Sequence, residues 1–172
     1  PDGFLVLLDE VYLGVESEAH VSLLQVASPR LRRRLCLVLS ASKGLGAMPG
    51  ARAGWLTVGD PALVPEMLKV LACASANAST VAQVGLQASL EECMRDPSVL
   101  RGVHAYYAER TSFMARELNA VAQRHGLRSV CSEPQGTFYL WADFSELVAA
   151  GDDLQLYRRL LENGVAIIPG SA

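Results

Sequence analysis

Two short runs of uninterrupted apolar residues stand near the start of the chain. Residues 4–8 read FLVLL and residues 35–39 read LCLVL. Runs this short, without alternation, predict strands covered on both faces, as in a parallel sheet. The stretch between them is long enough for the crossover that parallel pairing requires. Residues 53–58, AGWLTV, predict a third strand.

The period then changes. Asp60-Pro61 places a capping carboxylate before a proline at a first helical position. Leu63, Val64, Met67, Leu68 and Leu71 follow as one apolar face. A second helix is expected over residues 80–94. Asp96-Pro97 repeats the start signal, and Leu100, Val103, Tyr107, Met114, Leu118 and Val121 keep helical spacing down to Gly126, a C-cap. Such a helix is roughly 40 Å long at 1.5 Å per residue. It outruns one α/β layer and reads as a strut between a larger and a smaller domain.

Beyond it, residues 127–132 and 137–143 predict strands joined by a turn at Pro134-Gln135-Gly136. Residues 153–162 predict a helix stopped by Asn163-Gly164, and residues 165–168 a last short strand. The pattern therefore predicts an α/β fold: a mostly parallel sheet with helices over residues 1–96, a linking helix over 97–126, and part of an α+β domain over 127–172.

Composition narrows the function classes. Of 172 residues, 51% are hydrophobic, so a packed core is expected, and the net charge is −3. That balance offers no attraction for nucleic acid or an anionic membrane, and neither is expected as a partner. The arginines at 30, 32, 33 and 34 read as a solvated helix end. Cys36, Cys73, Cys93 and Cys131 show neither a CxxC pair nor metal-ligand spacing, so no metal site is expected. Apolar residues surround most of them, so they read as buried, reduced thiols, consistent with a cytoplasmic setting. The chain opens Pro1-Asp2-Gly3 without an initiator Met and ends in a Pro-Gly-Ser-Ala turn. Both ends read as cut from something larger.

The residues with chemistry stand where the first two strands end. In an open parallel sheet, ligands bind beyond the carboxyl ends of the strands. The first run ends in Asp9-Glu10-Val11-Tyr12. The second ends in Ser40-Ala41-Ser42-Lys43, followed by Gly44-Leu45-Gly46 and, further on, Arg52. The glycines do not match a dinucleotide fingerprint, because Pro49 stands where its third glycine belongs. Nor do they match a P-loop, whose lysine follows the loop rather than preceding it.

SASKGLGAMPGARAGW resembles the signature of the class I/II aminotransferases, and LLDEVY resembles their Asp-x-x-Tyr strand end. PQGTFYLWADFS and GVAIIPGSA resemble two further segments of the family, and all four stand in family order. The resemblance implies a fold-type I enzyme that uses pyridoxal 5′-phosphate to exchange an amino group between an amino acid and a 2-oxo acid. It implies that Lys43 holds the cofactor as a Schiff base and that Asp9 pairs with its pyridine nitrogen. Tyr12 would bond its ring oxygen, while Arg52, Ser40 and Ser42 would hold its phosphate. A lysine amine attacks only when neutral, a state favoured by desolvation or a nearby cation; Arg52 is the candidate. A guanidinium also grips phosphate through two parallel hydrogen bonds.

Many relatives place the arginine eight residues after the lysine, whereas here it stands nine after it. The resemblance leaves open other chemistry on the same fold: a β-lyase, a cyclopropane-forming synthase, a decarboxylase, or the ligand-sensing domain of a transcriptional regulator. It implies a homodimer for the parent protein. It also implies that parts of the site lie outside this chain, so the segment alone is expected to be inactive.

Overall fold

A computed structural model describes residues 3–16, 20–148 and 152–171. Pro1, Asp2 and Ala172, noted above at the chain's ends, lie outside the described residues. Strand β1 is Val6–Asp9 and β2 is Leu35–Ser40. They pair in parallel, from Val6 opposite Leu35 to Asp9 opposite Val38. Two single-turn helices lie between them, α1 (Leu23–Val26) and α2 (Pro29–Arg32). Each is capped by a serine: the Ser22 hydroxyl accepts from the Leu24 N–H at 3.2 Å, and Ser28 from the Leu31 N–H at 3.3 Å.

The central strand behaves as its apolar run predicts, with Leu35, Cys36, Leu37 and Leu39 all buried. The first strand does not. Val6 and Leu8 face inward, but Leu7 is 67% exposed and shares its outer face with exposed Leu5 and Asp9. No layer covers that face among the described residues.

Strand β3, Gly54–Val58, runs antiparallel to β2, with Cys36 opposite Val58 and Ser40 opposite Gly54. The sheet, in order β1-β2-β3, is therefore mixed rather than mostly parallel. The connection explains it. Residues 41–53 contain only a 3₁₀ turn at Pro49–Ala51, not the helix that usually carries a parallel crossover. The Ala41 N–H donates to the Ala53 carbonyl at 3.0 Å and closes the return.

Asp60 caps as expected: its Oδ1 accepts from the Ala62 N–H at 3.1 Å, leading through a 3₁₀ turn into α3 (Val64–Ala74). Helix α4 is Thr80–Arg95 and α5 is Ser98–Arg124, 27 residues long. Asp96 Oδ1 accepts from the Ser98 N–H at 2.9 Å. Gly126 ends the long helix at φ +73°, a left-handed conformation that suits glycine. Helix α6 is Asp153–Glu162.

The chain divides into two compact units. One comprises Pro1–Arg110 with Gln135–Phe138, and the other Thr111–Pro134 with Tyr139–Ala172. In the first, Ala41, Ala53, Ala82 and Leu86 pack with Met48 and Trp55, while Leu37, Leu39 and Leu45 pack with Leu8, Leu13 and Leu100. In the second, Ala115, Ala122, Val130 and Cys131 pack with Leu118, Leu140 and Phe144.

The strands expected over 127–132, 137–143 and 165–168 do not form among the described residues. An isolated antiparallel bridge between Cys131 and Ala142 stands in place of a ladder. The Asn119 side chain takes up backbone groups that a ladder would use: its Oδ1 accepts from Val130 N–H at 2.8 Å and Cys131 N–H at 2.9 Å, and its Nδ2 donates to the Cys131 carbonyl at 2.9 Å. Thr137 at φ +62° interrupts the second run. No helix among the described residues is long and apolar enough to cross a membrane.

Candidate active site

The site grows from the loops that follow β1 and β2. Asp9 ends β1 on its exposed face, and its Oδ1 accepts from the Val11 N–H at 3.3 Å. Glu10 is engaged elsewhere, accepting from the Ser22 hydroxyl at 2.6 Å. The chain then turns tightly through Tyr12. The Leu45 N–H donates to the Leu13 carbonyl at 3.1 Å, which ties the loop after β2 to the loop after β1.

After β2 the backbone turns at once. The Ser42 N–H donates to Ser40 Oγ at 3.0 Å. Ala41 is fully buried, and its carbonyl accepts from the Met48 N–H at 2.8 Å. The Lys43 carbonyl accepts from the Ala47 N–H at 2.9 Å. These bonds leave the Lys43 side chain projecting from a small, self-closed turn.

Lys43 Nζ lies 5.6 Å from the centre of the Tyr12 ring and 5.2 Å from that of Phe138. Both are within the roughly 6 Å over which an aromatic face attracts a cation. The two rings meet edge to face at 5.7 Å, the arrangement aromatic quadrupoles favour. Ser42 and Lys43 line a pocket of about 650 Å³, within the range of small-molecule sites. Val15, Ala47 and Pro49 line it from the same loops, Val99, Val103, Tyr106 and Tyr107 from α5, and Phe138 closes the set.

The expected residues are therefore only partly brought together. Lys43 and Tyr12 converge, Ser42 shares the pocket, and Ser40 sits one hydrogen bond away from Ser42. Asp9 and Arg52 are exposed and do not line the pocket. Arg52 has φ +52°, and its guanidinium donates to the Pro49 carbonyl at 3.2 Å. Phe138 and Tyr107 join the site as well: their ring centres lie 5.2 Å apart, and both line the pocket. Phe138 lies within the strand expected over 137–143; its approach to Lys43, from far along the chain, has no signal in the sequence.

The sequence profile of the family described as Aminotransferase class I and II matches residues 2–172. The chain belongs to that family. Among aminotransferases it is 28% identical to a probable aspartate aminotransferase of Methanocaldococcus jannaschii, over 98% of this chain and 41% of that protein. It is also 28% identical to an aspartate/prephenate aminotransferase of Nitrosomonas europaea, over 100% of this chain and 43% of the relative. The solved aspartate aminotransferase of Rhizobium meliloti superimposes with a TM-score of 0.77 at 26% identity, covering 97% of this chain and 42% of that structure. The chain thus spans about two fifths of the length of the aminotransferases it matches.

Proposed function

We propose that this chain is part of a pyridoxal-phosphate-dependent aminotransferase that moves an amino group between an amino acid and a 2-oxo acid. The observation that carries this reading is Lys43: a primary amine on the wall of a pocket, between two aromatic faces, in a chain that matches the family along nearly its whole length. In chemical type the six motif residues suit a phosphorylated pyridine aldehyde, and of them Ser42 and Lys43 line the pocket. Lys43 supplies the amine, Asp9 a carboxylate for the ring nitrogen, and Tyr12 a phenol for the ring oxygen. Ser40, Ser42 and Arg52 supply hydrogen-bond donors of the kind that hold phosphate.

When bound, the cofactor acts as the electron sink that stabilises negative charge at the substrate Cα. The chain's own part is acid–base and electrostatic. Lys43 Nζ would take the proton from the substrate Cα and return it to the cofactor carbon that bears the amino group. The Asp9 carboxylate would favour a protonated ring nitrogen, because an opposite charge nearby stabilises the charged form. The aromatic rings of Tyr12 and Phe138 flank the amine and limit the positions open to it.

The relatives' names make aspartate the first donor to assay. The direct test is reductive trapping on the full polypeptide. After incubation with pyridoxal phosphate, borohydride reduction should leave a pyridoxyl group on the peptide containing Lys43. A label confined to other peptides, or none, overturns the reading.

A further inference from the structure

Phe138 reaches Lys43 by an unusual route. It follows Gly136 and Thr137, and Thr137 has φ +62°. A β-branched residue rarely adopts the left-handed region, and such a conformation persists only where the surroundings enforce it. Here they do. The Thr137 N–H donates to the Val15 carbonyl at 2.6 Å, and Gly136 forms an antiparallel bridge with Glu16. The strained turn is bolted to the loop that carries Tyr12.

The ring so delivered lies against three other side chains of the site. Its centre lies 5.7 Å from Tyr12, 5.2 Å from Tyr107 and 5.2 Å from Lys43 Nζ. Packing alone would explain the two ring contacts. It does not require a strained backbone to set an aromatic face beside the pocket's lysine. We propose that Phe138 is a positioning residue for Lys43: with Tyr12 it forms an aromatic cradle that confines the lysine's flexible stem and holds its amine at the pocket wall. A lysine stem has four rotatable bonds and loses much freedom when its head is fixed. Two ring faces restrict it without forming a salt bridge that would have to be broken before the amine could react.

The assignment builds on Lys43 as the reactive amine, but its test needs no cofactor. Lys43 and Lys69 are the only lysines in this chain. Lys69 lies on α3 with its side chain 70% exposed, so it serves as an internal reference. The intact protein, cleared of carbonyl compounds, is acylated with a limiting amine reagent at fixed pH. The Lys43-to-Lys69 labelling ratio is then read by peptide mass spectrometry. Phe138→Leu should raise the ratio about three-fold, the effect of losing one cation–π contact at a partly exposed site. Phe138→Tyr, which keeps the ring face, should restore the native ratio.

A ratio unchanged in Phe138→Leu, or raised equally in Phe138→Tyr, overturns the proposal. If Phe138→Leu loses its circular dichroism signal, Phe138→Met replaces it in the same comparison and is judged by the same ratio. Failure here with successful borohydride trapping would remove the cradle and leave the enzyme assignment standing. Success here with failed trapping would do the reverse.

Discussion

Gly44 lies backbone to backbone against Gly14: a β-carbon on Gly44 would stand 2.6 Å from the Gly14 carbonyl carbon and 2.8 Å from its α-carbon. These are backbone atoms, and they cannot swing aside as a flexible side chain can. The loops that carry Tyr12 and Lys43 meet at this point. Gly44→Ala should therefore destabilise the fold by about 1–3 kcal/mol, the usual cost of forcing extra volume into a packed region. Gly50→Ala, with nothing within 4 Å of the added carbon, should change stability little. Urea denaturation of the two variants checks the ranking, and equal midpoints would contradict it.

Asn119 satisfies three backbone groups of Val130 and Cys131, both buried. Asn119→Ala would strand them away from water. A buried unsatisfied group costs about 1–3 kcal/mol, so a loss of about 2–4 kcal/mol is expected once neighbouring water recovers part of the bonding. Asn119→Asp keeps the acceptor but loses the donor to the Cys131 carbonyl, and should fall between the two. Thermal unfolding followed by circular dichroism gives the order.

How much of this was legible in the sequence differs by element. The helix starts at Asp60 and Asp96 were, because a capping side chain acts within three residues of itself. So was the buried centre of β2. The direction of β3 was not: a local apolar run carries no sign for its partner. The strand expected over 127–132 failed because Asn119, on α5, captures backbone groups of Val130 and Cys131 that would have paired. For the site, Lys43 and Tyr12 stand together as the motif implied. Asp9 and Arg52 stand where the motif places them along the chain, but a motif does not report exposure, and both are exposed. Phe138 belonged to a stretch whose period suggested a strand, and the strained Thr137 that redirects it leaves no composition signal.

Acid should weaken the fold in a defined window. The carboxyls of Asp96, Asp143 and Asp153 are each held below the ordinary carboxylate range, chiefly by hydrogen bonds from Ser98, Ser145 and Ser171. Their contribution is present above the unfolded-state value, near pH 4, and is lost as pH falls through the lower folded-state values. The urea midpoint should hold between pH 7 and 5 and drop below about pH 4. Ser145→Ala should make that drop shallower, by removing the largest cause at Asp143.

The thiols should separate by exposure. Cys131 is buried, and desolvation pushes its thiol up, which disfavours the reactive thiolate. Cys73 is exposed. Under native conditions at mildly alkaline pH, iodoacetamide should alkylate Cys73 at least about ten-fold faster than Cys131. Peptide mapping at short times reads the ratio. Comparable rates would show that the second unit opens far more readily than its packing implies.

Ala41 has both backbone groups committed, its N–H to Ala53 and its carbonyl to Met48. The loop between β2 and β3 is thereby knotted at its base. Residues inserted or deleted around Gly50, on the outer side of that knot, would lengthen or shorten only the rim and leave the root of Lys43 in place. The distance along the chain from lysine to arginine is then a quantity that lineages can vary by a residue without moving the amine. A nine-residue interval becomes a tolerated variant of an eight-residue one, and length polymorphism in this loop carries little information about which reaction the site performs.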